Sequence, residues 1–224
     1  MIIISGATRG LGKVIYESLK QNYENVIGLS KNGNSELGII KCDISDLKSI
    51  KSAANEIKKI DKKAYAFINA AGIASMNLAL ATPEEVIKKI INTNLVGTIF
   101  TSQVFSPFLI RNGKGRIINF STIAVKLGIK GEAVYIASKA GVEAYGRTLA
   151  KELSPFKITV NCIAPGPIKT DLIKGVTDKQ IKNITDQQIF NKTMTPDDIV
   201  DIVNLLLSKE SQHISGQSFA VGGS

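Results

Sequence analysis

Histidine is almost absent from this chain: among 224 residues only His213 carries an imidazole. A Ser-His-Asp hydrolase or a multi-histidine metal site would have to be built around that one ring, so neither is expected, and no metal is. Cysteine is nearly as scarce. Cys42 and Cys162 form no CxxC pair and are too few for a disulfide scaffold, which fits a reducing cytoplasm. No basic region precedes the apolar sequence that begins at Ile2, so no secretory signal is expected. Two stretches, 64–83 and 90–110, lack charge, but Asn69, Asn77, Asn92, Asn94 and Gln103 interrupt them, so no membrane span is expected. Arginine is the scarce cation. Lys+Arg 28 against Asp+Glu 19 leaves a formal charge of +9, yet the arginines are only Arg9, Arg111, Arg116 and Arg147. The lysines are scattered over every helix-like segment, and no phosphate-tracking stripe is visible, so nucleic acid is not expected as a partner.

What is present is ordinary globular composition, with 44% hydrophobic and 21% charged residues. There is no repeat, low-complexity tract or long Pro/Gly linker, so residues 1–224 are read as one domain. Short β-branched apolar runs at 2–4, 26–29, 38–40, 66–68, 116–120, 158–160 and 218–221 suit strands buried on both faces of a parallel sheet. Between them, 11–21, 46–60, 83–110, 134–153 and 196–208 carry helical patterns. Pro83 and Pro196 sit just inside predicted helix starts, with Thr82 and Thr195 as N-caps. Alternating strands and helices predict a doubly wound α/β fold, in which ligands bind beyond the carboxyl ends of the strands.

After the first strand comes Ser5-Gly6-Ala7-Thr8-Arg9-Gly10-Leu11-Gly12. Glycines here let the backbone turn sharply and approach a diphosphate, which the following helix N-terminus attracts. An NAD site usually carries an acid at the end of the second strand, bonded to the ribose 2′-hydroxyl. Here that strand ends Gly28-Leu29-Ser30-Lys31-Asn32, with no acid between Asn25 and Ser35. Arg9 and Lys31 are instead placed to meet a 2′-phosphate from two sides, with Ser30 or Asn32 hydrogen bonding. NADP(H) is therefore favoured over NAD(H).

With these residues in view the chain resembles the short-chain dehydrogenase/reductase family, from Ile2 to Gly223. Residues 5–12 resemble its TGxxxGxG turn, and Asn69-Ala70-Ala71-Gly72 is similar to its NNAG element. Tyr135-Ile-Ala-Ser-Lys139 matches YxxxK, Pro165-Gly166 with Thr170 matches PG…T, and Ile214-Ser-Gly-Gln217 with Val221-Gly-Gly223 looks like the C-terminal ITGQ…VDGG. The pattern is most similar to the bacterial 3-oxoacyl-acyl-carrier-protein reductase branch. The resemblance implies a single-domain Rossmann fold with a seven-stranded parallel sheet, found as a homodimer or homotetramer. It also implies that Asp43 contacts the adenine amino group with Ile44 beside it. Asn69 to Gly72 would line the adenine ribose, and Ile168 and Thr170 would meet the nicotinamide carboxamide.

Reducing a carbonyl by hydride requires an acid for the developing alkoxide. Tyr135 is a phenol with an ordinary pKa near ~10, and Lys139 lies one helical turn later on the same face. An ammonium there is expected to stabilise the phenolate and lower that pKa. By resemblance, Lys139 also holds the nicotinamide ribose. A further hydroxyl must orient the substrate oxygen. Counting back from Tyr135 to the family's serine reaches Thr122, with Ser121 as the alternative if the loop shifts by one residue. Asn94 falls where the family has its proton-relay asparagine.

The chain also departs from the family. The link from the second strand to Asp43, beginning Lys31-Asn32-Gly33-Asn34-Ser35, reads as a loop where the family has a helix. The substrate lid, about 171–195, is short, and with Lys169 just before it carries Lys174, Lys179, Lys182 and Lys192. A small-molecule or carrier-bound carbonyl substrate is expected, with an NADPH-dependent 3-oxoacyl thioester reductase as the leading reading. The alternatives are a sugar or small-polyol dehydrogenase and a non-catalytic dinucleotide-binding protein.

Overall fold

The computed structural model describes residues 1–168 and 177–223. Seven strands form one parallel sheet: β1 Ile2–Ser5, β2 Val26–Ser30, β3 Ile39–Lys41, β4 Ala66–Asn69, β5 Gly115–Phe120, β6 Ile158–Pro165 and β7 Ser218–Val221, in the order β3-β2-β1-β4-β5-β6-β7. The chain runs outward from β1 to β3, then restarts on the other side of β1 with β4. Ile4 is thus paired with Gly28 on one side and Ile68 on the other. This reversal between β1 and β4 is where a doubly wound sheet opens a crevice at its carboxyl end.

Alternation along the strands explains the two cores. Ile3, Phe67 and Ile117 point to the layer of α2 (Leu47–Ile60), α4 (Gly97–Asn112) and α6 (Ala133–Leu153), where Phe105 and Phe108 are fully buried. Ile2, Ile4 and Ile68 point to the opposite layer, formed by α1 (Gly10–Asn22) and α8 (Pro196–Leu207). Three further helices, α3 (Glu84–Ile91), α5 (Ala124–Leu127) and α7 (Asp178–Thr185), complete the helices of the described residues.

Two local expectations are corrected. The helix predicted over 83–110 is divided: α3 and α4 are separated by a π-helical turn, Asn92–Val96. The cause is Asn94, whose side chain is directed at backbone outside the helix rather than at its own turn. Pro83, not Thr82, is the N-cap of α3, because the Thr82 hydroxyl donates back to the Leu78 carbonyl. At α8 the cap is Thr195, closed by a reciprocal capping box with Asp198 and followed by Pro196.

The link from β2 to β3 occupies only residues 31–38 and contains no helix, although a parallel crossover ordinarily needs one. Two left-handed glycines, Gly33 (φ 67°) and Gly38 (φ 72°), bring the chain around, and the Tyr16 hydroxyl holds the loop through the Leu37 carbonyl at 2.6 Å. β3 consequently starts close beside the β2 end.

Phe67 is fully buried with its ring centroid 4.8 Å from that of Phe105. Phe67→Ala should therefore cost about 3–5 kcal/mol in urea or guanidinium unfolding. A loss below about 1 kcal/mol would contradict the assignment of this pair to the core.

Candidate active site

The crevice begins at the glycine turn. Gly6 has φ +80°, and a Cβ there would lie 2.8 Å from the Ala71 backbone, so β1 and β4 close on each other only if residue 6 is glycine. A Cβ on Gly12 would collide with the Gly6 carbonyl oxygen. Thr8 is half-buried in the turn, and exposed Arg9 is the extended N-cap of α1. A cavity of about 550 Å³ opens here, lined first by Arg9, Gly10, Leu11 and Gly12, then by Ala70 and Gly72.

Its middle wall is built by the end of β5 and the start of α6. Ser121, directly after β5, donates its hydroxyl to Glu143 at 2.6 Å, and Ser218 of β7 donates to the same oxygen at 2.9 Å. The Thr122 hydroxyl accepts from the Ala124 N–H at 3.2 Å, and Thr122 lines the cavity together with Tyr135. Both candidate hydroxyls line the cavity with Tyr135, but that of Ser121 is engaged by Glu143 and that of Thr122 is not. One turn beyond Tyr135, Lys139 is buried; its Nζ donates to the Phe120 carbonyl at 2.8 Å and lies 6.0 Å from the Tyr135 ring centre.

The electrostatics correct one expectation. Tyr135 is not lowered below its ordinary value. Burial pushes the phenol up, the Glu132 carboxylate pushes it further, and the Thr122 side chain offsets only part. Burial also pulls the Lys139 ammonium down to about 8. The physical reason is that two buried groups are each driven towards neutrality, while Lys139 spends a hydrogen bond on Phe120 rather than on the phenol.

Asn94 lies at the back of this wall, fully buried. Its side chain clamps Ile73, donating to the carbonyl at 2.8 Å and accepting from the N–H at 2.9 Å. It also donates to Ser138 at 3.1 Å, whose hydroxyl in turn bonds the Tyr135 carbonyl. A Cβ on Gly72 would sit 3.3 Å from Lys139 Nζ and 3.4 Å from Asn94 Oδ1, so these two groups flank residue 72.

Other predicted positions are distributed unevenly. Pro165, Gly166 and Ile168 line the far end of the cavity, and Thr170 lies outside the described residues. Asn69 has its side chain turned away from the cavity, donating to Asn119 at 2.8 Å and accepting from Thr101 at 2.8 Å. It staples β4 to β5 and α4, and Ala70 and Gly72 supply the lining instead. Ser30, Lys31, Asp43 and Ile44 lie at the ends of β2 and β3 and do not line this cavity. Lys31 Nζ is paired with Asp43 at 2.7 Å. Burial would raise the Asp43 carboxyl, but Lys31 and Ser45 outweigh it and hold it below the ordinary range.

Two residues of the site were missed by sequence reasoning. Glu143 lies one helical turn after Lys139, and Glu132 precedes Tyr135 by three residues and lines the cavity. The helical spacing from YxxxK was the available signal for both.

Among the described residues no helix is long and apolar enough to cross a membrane. The family model that matches, over residues 7–223, is described as enoyl-(acyl carrier protein) reductase. The 3-oxoacyl-(acyl-carrier-protein) reductase FabG of Escherichia coli strain K12 is 30% identical over 231 residues, 99% of this chain and 95% of that protein. The FabG of Chlamydia muridarum is 36% identical over 158 residues, 70% of this chain and 63% of its own. Among solved structures, ligand-free aldohexose dehydrogenase AldT of Thermoplasma acidophilum superposes with a TM-score of 0.89 at 25% identity, covering 99% of this chain and 92% of that one. The fold is shared with gox2181 as well, at a TM-score of 0.90 and 21% identity, over 98% of this chain and 93% of that one. Matched along nearly its whole length, the chain belongs to the short-chain dehydrogenase/reductase family of NAD(P)-dependent oxidoreductases.

Proposed function

We propose that this chain is an NADPH-dependent carbonyl reductase, with 3-oxoacyl thioesters as its leading substrate class. The reading is carried by one observation: Thr122, Tyr135 and buried Lys139 line one cavity that opens at the glycine turn. A dinucleotide suits this cavity. The turn at Gly6 and Gly12 has no room for side chains, and the first N–H groups of α1 are available to a diphosphate. Lys139 has three N–H donors and spends one on Phe120, which leaves two for ribose hydroxyls.

Arg9 and Lys31 would share the 2′-phosphate. Arg9 carries the larger part, since it forms no ion pair among the described residues whereas Lys31 is held by Asp43. Asp43 and Ile44 would face the adenine, Ala70 to Gly72 the ribose, and Pro165, Gly166, Ile168 and Thr170 the nicotinamide. When bound, the reduced nicotinamide supplies the hydride. Thr122 orients the substrate oxygen, and Tyr135, kept protonated by burial and by Glu132, gives that oxygen its proton. Lys139 then stabilises the phenolate, and Asn94 holds the wall through which the proton is replaced.

The 3-oxoacyl class is supported by the apolar side of the cavity, where Ile73, Met76, Ile129, Ile181 and Ile184 stand, and by the names of the FabG relatives. Ile181 and Ile184 belong to α7, whose place on the cavity supports the reading of 1–224 as a single dinucleotide-binding domain with a substrate lid at about 171–195. Exposed Lys179, Lys182 and Lys192 would suit an acidic carrier. By likeness to its family, the enzyme is expected to be a homodimer or homotetramer. A sugar or polyol substrate is the second reading, favoured by the likeness to AldT.

The test is oxidation of NADPH in the presence of an acetoacetyl thioester. Tyr135→Phe should reduce turnover about a thousandfold with NADPH affinity in a fluorescence titration unchanged, and substantial remaining turnover would contradict the mechanism. Thr122→Ala should cost about a hundredfold in kcat and Ser121→Ala less than about tenfold, with the reverse order assigning the oxygen-orienting role to Ser121. Arg9→Ala and Lys31→Ala should each weaken NADPH more than NADH in the same titration, Arg9→Ala the more strongly. Equal losses for both cofactors would overturn the NADPH preference.

A further inference from the structure

Glu132 has no assigned work in the fold. It is the N-cap of α6, yet its side chain makes no cap hydrogen bond. The three ion pairs of the described residues, Lys13–Glu17, Lys31–Asp43 and Glu84–Lys88, do not include it. Glu132 nevertheless lines the cavity, where it is the one acidic residue among the lining residues described; the other charged residues there are Arg9 and Lys139. Arg9 belongs to the glycine turn, and Lys139 is bound to the Phe120 carbonyl. Ile129, Met76 and Ile184 line the same cavity and have no side-chain hydrogen-bonding group to offer.

A carboxylate beside Tyr135 opposes catalysis, since negative charge develops at the phenol oxygen as it releases its proton. Its presence there, half-buried and in none of the ion pairs of the described residues, points to a role in the complex with substrate. A donor on the substrate would satisfy its lone pairs, whereas a second carboxylate there would be repelled in a region of low dielectric.

We propose that Glu132 is a specificity-determining residue: its carboxylate repels and so rejects compounds that carry a carboxylate near the reacting carbonyl. The cavity thus admits neutral carbonyl compounds, thioesters and hydroxyketones included, and turns away free 3-oxo acids. This inference rests on the carbonyl-reductase reading and narrows its substrate class.

The experiment compares kcat/KM for acetoacetate with that for its neutral ethyl ester, using NADPH and the full chain. In Glu132→Gln the acetoacetate-to-ester ratio should rise at least tenfold over wild type, and Glu132→Asp, which keeps the charge, should retain the wild-type ratio. A purely structural role would lower both rates together and leave the ratio unchanged, which would overturn the inference while the carbonyl-reductase reading stands. The same ratio rise in Glu132→Asp as in Glu132→Gln would overturn it too, because charge would then not be the cause. Failure of the wild-type enzyme to reduce the ester, an acetoacetyl thioester or a hydroxyketone would overturn the reading itself, and this inference with it.

Discussion

Burying the ammonium of Lys139 is the constraint around which the site is arranged. Withdrawing such a charge from water costs several kcal/mol unless it is bonded, and burial draws its pKa down to about 8, so the charge survives at neutral pH by a modest margin. The surroundings are what that charge requires. The Phe120 carbonyl at the end of β5 accepts from it, and a Cβ on Gly72 would come within 3.3 Å of Nζ and 3.4 Å of Asn94 Oδ1. Asn94 reaches that position because the helix between α3 and α4 opens into a π-helical turn.

The parallel sheet makes this gathering possible. Each of β1, β4, β5 and β6 ends at the same edge, and the reversal between β1 and β4 leaves a crevice there that the glycine turn and α6 line. The opposite layers are apolar, with Phe67, Phe105 and Phe108 on one face and Ile4, Ile15 and Val203 on the other. Polar burial is concentrated near the strand ends, where Asn69, Asn119 and Thr101 form a bonded set under the cavity floor. Stability and chemistry thus share strands but occupy different parts of them.

Much of this was legible in the sequence because it is local. Buried strands announce themselves as β-branched runs, the turn at 5–12 as three closely spaced glycines, and the Tyr135–Lys139 pair as one helical turn. What was not legible depends on residues distant along the chain. The π-helical turn at Asn94 needs the backbone of Ile73, and the direction of Asn69 needs Asn119 and Thr101. Counting residues left Ser121 and Thr122 open, whereas Glu143 binds the first and leaves the second unengaged by it on the cavity wall that Tyr135 shares. The pairing of Lys31 with Asp43 follows from the short β2–β3 link, which brings the two strand ends together. Tyr135 was expected to fall towards neutral pH because its lysine was weighed and its burial was not.

Tyr135 raised and Lys139 lowered describe a pair in which each partner holds back from ionising, one as a phenol and the other close to losing its proton. Such a pair donates a proton readily only when a substrate oxygen beside Thr122 acquires negative charge. The central claim is that this cavity brings a carbonyl carbon against a reduced nicotinamide while Tyr135 protonates the oxygen. The most direct test uses NADPH carrying deuterium at nicotinamide C4, on each face in turn, with an acetoacetyl thioester, and mass analysis of the alcohol formed. The account predicts that one of the two labelled cofactors delivers a single deuterium to the carbinol carbon. Product alcohol free of deuterium from both would contradict it.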